Sequence, residues 1–161
     1  MPRRRESGFT LLEILIVVGI IGIIAAIAVM SYFLAIDRTR QKRTLNDMRV
    51  IATAWEARAT DTQSYAAAGY TYLPTPLTAD ALRTMLVPTY SKEFPRYDGW
   101  LRPYEFAVAA DGKQYALRSR GRDGLLDTDG DYANGETDNP DCDIIYANGG
   151  FVVYPGGVQG D

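Results

Sequence analysis

Histidine is absent from this 161-residue chain, and cysteine occurs once. The first absence removes imidazole bases, Ser-His-Asp triads, Cys-His pairs and histidine-ligated zinc, and so disfavours ordinary enzymology. Cys142 has no partner for an intramolecular disulfide and no second thiol for a metal knuckle. Asp141 and Asp143 flank it where a reactive thiol needs cations, so it reads as a small buried apolar residue. A global positive field is missing as well: Lys and Arg total 17 against 20 Asp and Glu, a formal charge of -3. Nothing in that balance argues for a nucleic-acid partner. After Pro2, proline does not recur until Pro74.

What charge there is lies unevenly along the chain. Arg3, Arg4 and Arg5 precede a long apolar run, Arg38, Arg40, Lys42, Arg43 and Arg49 follow it, and no Lys or Arg occurs after Arg122. From Ile14 to Ile36 there is no charge at all, a stretch of about 35 Å as a helix at 1.5 Å per residue. That is enough to span a bilayer. Arginines stand on both sides of it, and Arg3 to Arg5 favour a cytoplasmic N-terminus.

A secretory signal would be cut after its apolar stretch, beside small residues. Here the order is reversed: a short basic leader, MPRRRESG, ends at Gly8, and Phe9-Thr-Leu-Leu-Glu13 opens the apolar helix. In leader length, Gly8, Phe9, Thr10, Leu11, Glu13 and the run that follows, the chain resembles the type IV pilin superfamily. The resemblance implies a prepilin peptidase that cuts after Gly8 and methylates the new N-terminal Phe9. Glu13 carries a physical argument too, since an unpaired carboxylate deep in a membrane helix costs about 2.5 to 3.5 kcal/mol. It either reaches back to the headgroups or, in a staggered bundle, meets the new amine of a neighbouring subunit and directs assembly. Gly19, Gly22, Ala25, Ala26 and Ala28 allow close helix approach. Many members of the superfamily carry a proline near the position of Met30, associated with a kinked or locally opened helix, and this chain has none there.

Leu45, Met48, Ala52, Trp55 and Ala59 continue a helical stripe at spacings of three and four, which predicts a stem ending between Thr60 and Ser64. Gly69, Pro74 and Pro76 mark a loop containing Tyr65, Tyr70 and Tyr72. Without interleaved basic groups, those tyrosines read as core or interface packing. Thr78 is a good N-cap for a second helix bearing Ala81, Leu82, Met85 and Leu86 and stopping before Pro88. Tyr104 to Ala109 and Gln114 to Ser119 read as two strands joined across Asp111-Gly112-Lys113, with Phe151 to Tyr154 as a third. The expected class is α+β, a long N-terminal helix packed on a small antiparallel sheet with a long acidic C-terminal loop. The divisions are 1–8 leader, 9–36 membrane and polymerisation helix, 37–63 stem and 64–161 globular part.

Asp98-Gly99-Trp100, Pro103-Tyr104 and Tyr115-Ala-Leu-Arg-Ser-Arg-Gly-Arg-Asp123-Gly are similar to the major pseudopilin of type II secretion systems. That resemblance implies a structural filament subunit supporting protein export, not an enzyme. It would be single-pass in the inner membrane with a periplasmic C-terminal domain. Its partners would be copies of itself, prepilin peptidase, minor pseudopilins and assembly machinery that consumes the ATP. A type IV pilin for adhesion, motility or DNA uptake is the alternative. A membrane-anchored enzyme using Asp127 and Asp129 as paired carboxylates is a different class, for which about a hundred globular residues leave little cleft.

Carboxylates at Asp127, Asp129, Asp131 and Asp138 fall at the first, third, fifth and twelfth places of a calcium loop. Tyr132 stands where an EF-hand needs glycine, and flanking helices are missing from the pattern. The pseudopilin resemblance implies another set, Asp123 and Asp143 with backbone carbonyls between them. Calcium held between Asp123 and Asp143 is the expectation, set against a solvated acidic loop.

Overall fold

The computed structural model describes residues 8–65, 78–127 and 135–156. Its elements are α1 (Leu11–Thr62), α2 (Ala79–Leu86), β1 (Glu105–Val108), β2 (Tyr115–Ser119), β3 (Gly135–Thr137), β4 (Ile144–Ala147) and β5 (Gly150–Pro155). The chain forms two compact units, one up to Ile36 and one from Asp37 onward.

In the first unit the apolar run is helical, and its large side chains from Leu11 to Leu34 are exposed. Helix α1 is long and apolar enough to cross a membrane. It runs without a break through Met30, as expected where no proline removes an amide donor.

In the second unit one face of α1 is buried: Gln41, Thr44, Leu45, Met48, Ile51, Ala52, Ala54, Trp55 and Ala59. The predicted stripe lies wholly within that set. Across it the strands alternate, turning Phe106, Val108, Tyr115, Leu117, Ile144 and Tyr146 inward. Trp55 lies 4.9 Å from the Tyr115 ring and 6.3 Å from Phe106, and its indole N–H donates to the Tyr65 carbonyl at 3.0 Å. Tyr65 is therefore packing, as the sequence suggested; Tyr70 and Tyr72 lie outside the described residues. Helix α2 starts where expected, with the Thr78 hydroxyl accepting from the Ala81 amide, and buries Leu82 and Leu86.

The sheet corrects the expectation. It has five strands in the order β1-β2-β4-β5-β3, and although most pairs are antiparallel, β3 runs parallel to β5. Strand β3 falls within the stretch read as acidic loop, Asp123 to Asp143, and β4 begins directly after it. Strand β4 was hidden because Cys142-Asp-Ile-Ile-Tyr-Ala is too short a run to show a period, yet Ile144 and Tyr146 point inward. Its turn into β5, Asn148-Gly149, has φ of 49° and 93°, the pair of positive values a type I′ hairpin turn requires. Strand β3, Gly135-Glu-Thr137, carries no apolar signal; its backbone pairs with Val153, Tyr154 and Pro155. Cys142, expected to be buried, is half-buried, since the inward place next to it is taken by Asp143.

The turn before β1 rides directly on α1. A Cβ at Gly99 would fall 2.3 Å from the Arg40 carbonyl oxygen, and the Gly99 amide donates to the Thr44 hydroxyl at 2.9 Å. Because the obstruction is helix backbone, no side-chain rotation relieves it. Gly99→Ala should cost about 2 to 3 kcal/mol of stability, read as a lowered denaturation midpoint with an unchanged slope.

Candidate functional site

Two places bear on function. The first is the start of α1. The Glu13 amide donates to the Thr10 hydroxyl at 3.2 Å, and the Thr10 amide donates back to Glu13 Oε2 at 3.4 Å. This reciprocal arrangement is a capping box, satisfying two of the donors that a helix start leaves unpaired. Glu13 thus has a partner within its own chain. Gly8 and Phe9 precede it and are exposed, and nothing lies within 4 Å of where side chains at Gly8, Gly19 or Gly22 would begin.

The second is where the turn after β2 meets the segment leading into β4. Two aspartates there are fully buried, and their surroundings differ. Asp98 is satisfied: Oδ1 accepts from the Trp100 and Arg102 amides at 2.9 Å each, and Oδ2 accepts from the Ser119 hydroxyl at 2.6 Å. Among the described residues Asp143 accepts no hydrogen bond at either carboxylate oxygen. Its amide donates to Asp127 Oδ2 at 2.7 Å, which brings the two carboxylates together. It pairs with the Arg118 guanidinium, whose Nε stands 3.9 Å from Asp143 Oδ2. Burial, reinforced by Asp127, pushes the Asp143 carboxyl up to about 6. Arg118 is drawn off by Glu105, which it meets at 2.9 and 2.5 Å and which Arg120 also engages. Burial works against the Glu105 carboxylate, but those arginine hydrogen bonds hold it below its ordinary value.

A buried carboxylate that accepts no hydrogen bond, with one shared cation at 3.9 Å and a second carboxylate beside it, suits a hard divalent cation, which takes oxygen ligands and offsets their repulsion. Of the predicted ligands, Asp127 and Asp143 are juxtaposed. Asp123 is exposed and its Oδ1 accepts from the Leu125 amide at 2.9 Å. Asp138 lies beside Gly156, past the end of β5. Asp129 and Asp131 lie outside the described residues. Among the described residues no group of three or more acidic, Cys or His side chains could hold a metal, so backbone oxygens would have to complete any shell around the Asp127–Asp143 pair.

Residues that sequence reasoning missed tie this corner down. Arg122 donates to both oxygens of Asp141 at 2.7 and 2.8 Å and to Asp37 at 2.9 Å. Those bonds hold the Asp141 carboxyl below its usual range. The Glu105–Arg118 contact was legible in principle: pairing Val108 with Tyr115 across the Asp111-Gly112 turn sets Glu105 opposite Arg118.

Residues 3–29 match the prokaryotic N-terminal methylation motif. With the exposed apolar helix and its capped Glu13, this places the chain among the pilin-like proteins. It is 31% identical over 150 residues to the type II secretion system core protein G of Pseudomonas aeruginosa, covering 83% of this chain and 98% of that protein. To core protein G of Aeromonas hydrophila it is 28% identical over 137 residues, covering 83% and 95%. A fimbrial protein of Pseudomonas aeruginosa is 43% identical, but over 54 residues only, 34% of this chain and 35% of that one. No solved structure matches significantly. The chain belongs to the type II secretion system core protein G family, the major pseudopilins.

The Asp143 shift gives a pH dependence of known sign. With its carboxyl raised from the ordinary 3.8 to about 6 in the fold, its favourable contribution is complete below pH 4 and is lost as pH rises through 6. The loss is at most about 3 kcal/mol. Denaturation in chelator at pH 4 to 7 should show that decline, and Asp143→Asn should flatten it.

Proposed function

We propose that this chain is the filament-forming subunit of a secretion system, processed after Gly8, methylated on Phe9 and assembled through α1. The observation that carries this is an apolar helix whose large side chains from Leu11 to Leu34 are exposed, in a chain related over most of its length to core protein G. Exposed apolar surface of that extent calls for lipid, other copies of the helix, or both. The basic leader and the apolar run support a single pass through the inner membrane, with the part from Asp37 onward in the periplasm. Copies of this chain, prepilin peptidase, minor pseudopilins and an assembly ATPase are the partners. No enzymatic step is assigned to the chain. The pilus reading is less favoured because the fimbrial relative matches a third of the chain, whereas core protein G matches run nearly end to end.

Within the assembly, Glu13 has two roles. In the single chain it caps α1; in the filament its carboxylate meets the amine that cleavage creates on a neighbouring Phe9. Mass spectrometry of the mature chain should find methylated Phe9 at its start. Glu13→Ala should be processed and inserted normally, with filament yield reduced at least severalfold. A mature chain beginning at Met1, or full filament yield from the variant, counts against the reading.

Calcium belongs to this reading too. Asp143 and Asp127 would hold it, with Asp123 and backbone carbonyls of the same turn as further ligands. The ion would add to the positive charge that Arg118, shared with Glu105, brings to Asp143. What supports this is the buried carboxylate without a hydrogen bond. An ion bound only to the folded state adds about 2.7 kcal/mol at a hundredfold excess over Kd. Millimolar calcium should therefore raise the melting temperature, Asp143→Ala should abolish the response, and Glu93→Ala, at the surface elsewhere, should retain it. No shift with calcium would leave the acidic segment as a solvated loop.

A further inference from the structure

Arg122 stands at a junction that neither the filament reading nor the metal reading uses. Its amide donates to the Pro140 carbonyl at 2.9 Å, and its guanidinium grips both oxygens of Asp141. Its remaining terminal nitrogen, Nη1, donates to Asp37 Oδ2 at 2.9 Å. Asp37 belongs to α1 and is the first residue of the folded unit, directly after the apolar run. One side chain thus joins the turn after β2, the segment entering β4 and the helix.

The segment it holds is the one bearing Asp143. Gly121 packs so closely on it that an added Cβ would fall 2.5 Å from the carbonyl oxygens of both Asp141 and Cys142. On the far side, the Asp143 amide is tied to Asp127. Residues 139–143 are therefore clamped between the Arg122 turn and the Asp127 carboxylate, with little room to move independently of either. Repulsion between the Asp127 and Asp143 carboxylates strains that clamp when nothing neutralises them, and a divalent cation relieves it. A displacement of Asp141 is passed to the guanidinium, because a planar fork bonded to two carboxylates cannot follow one without leaving the other.

We infer that Arg122 couples the charge state of the Asp127–Asp143 pair to the beginning of the folded part of α1, so that cation binding in the loop tightens the helix at Asp37. This rests on the calcium reading above. It adds to that reading a link, through the Arg122 bonds to Asp141 and Asp37, from the loop to the helix.

Hydrogen exchange on the full chain in detergent micelles, with calcium or with chelator, tests it. In the unaltered protein, calcium should slow exchange severalfold both in residues 141–147 and in residues 37–44. Arg122→Lys keeps the charge but not the fork. It should preserve the calcium effect in 141–147 and remove most of it in 37–44. Asp37→Asn, which breaks only the helix side, should do the same. A calcium response in 37–44 that survives both variants overturns the coupling. So does a response confined to 141–147 in the unaltered protein. If neither region responds to calcium, the metal reading itself fails and the coupling falls with it. Loss of the 141–147 response in Arg122→Lys would show that Arg122 merely builds the loop and would also overturn the coupling.

Discussion

Burial of one face of α1, from Gln41 to Ala59, is the contact on which the folded unit is built. Trp55 lies at its centre, walled by Phe106, Tyr115 and Tyr65. Each large side chain buried there contributes about 1.5 to 3 kcal/mol, and among the described residues the strands have no other helix of comparable length to cover them. Sheet alternation follows from this demand: Phe106 and Val108 on β1, Tyr115 and Leu117 on β2, Ile144 and Tyr146 on β4 all face the helix. Where a turn must approach the helix backbone itself, Gly99 supplies the clearance and Thr44 the hydrogen bond.

The same packing brings polar groups into places where water cannot reach them, and the chain treats two of them differently. Asp98 is enclosed by donors, so its burial stabilises the turn it anchors. Asp143 lies one residue before the β4 core and accepts no hydrogen bond from the described residues; its cation, Arg118, stands 3.9 Å away and is shared with Glu105. An aspartate so placed is costly unless it is protonated or paired. Its charge balance, unlike that of Asp98, therefore depends on what the surroundings supply. The Arg122 clamp extends the mechanical reach of that dependence to Asp37.

Helix α1 divides along the chain into two regimes. From Ile14 to Leu34 it carries no charge and its large apolar side chains are exposed; after Asp37 it is amphipathic. A helix apolar all round suits a membrane or a bundle of its own kind, whereas a striped one suits a sheet. Glu13 marks the start of the first regime, and the capping box it forms with Thr10 gives it a structural role in each subunit as well as the one proposed between subunits.

Periodicity and short-range chemistry determined the membrane-length helix, the Leu45 to Ala59 stripe, the Thr78 cap, the β1–β2 hairpin and the processing motif, because each is written in residues a few positions apart. Strand β3 was not legible, since it has no apolar pattern and exists through pairing with β5 some twenty residues on. Strand β4 was too short for its alternation to stand out, although Asn148-Gly149 marked its turn. The acidic residues were visible as a group, but whether any of them met was not. Only the tertiary structure separated Asp143 from Asp123 and Asp138, and Asp98 from Asp143. The cost of a buried carboxylate is set by which donors and charges the fold brings within about 4 Å, and distances of that kind are fixed by packing between remote segments.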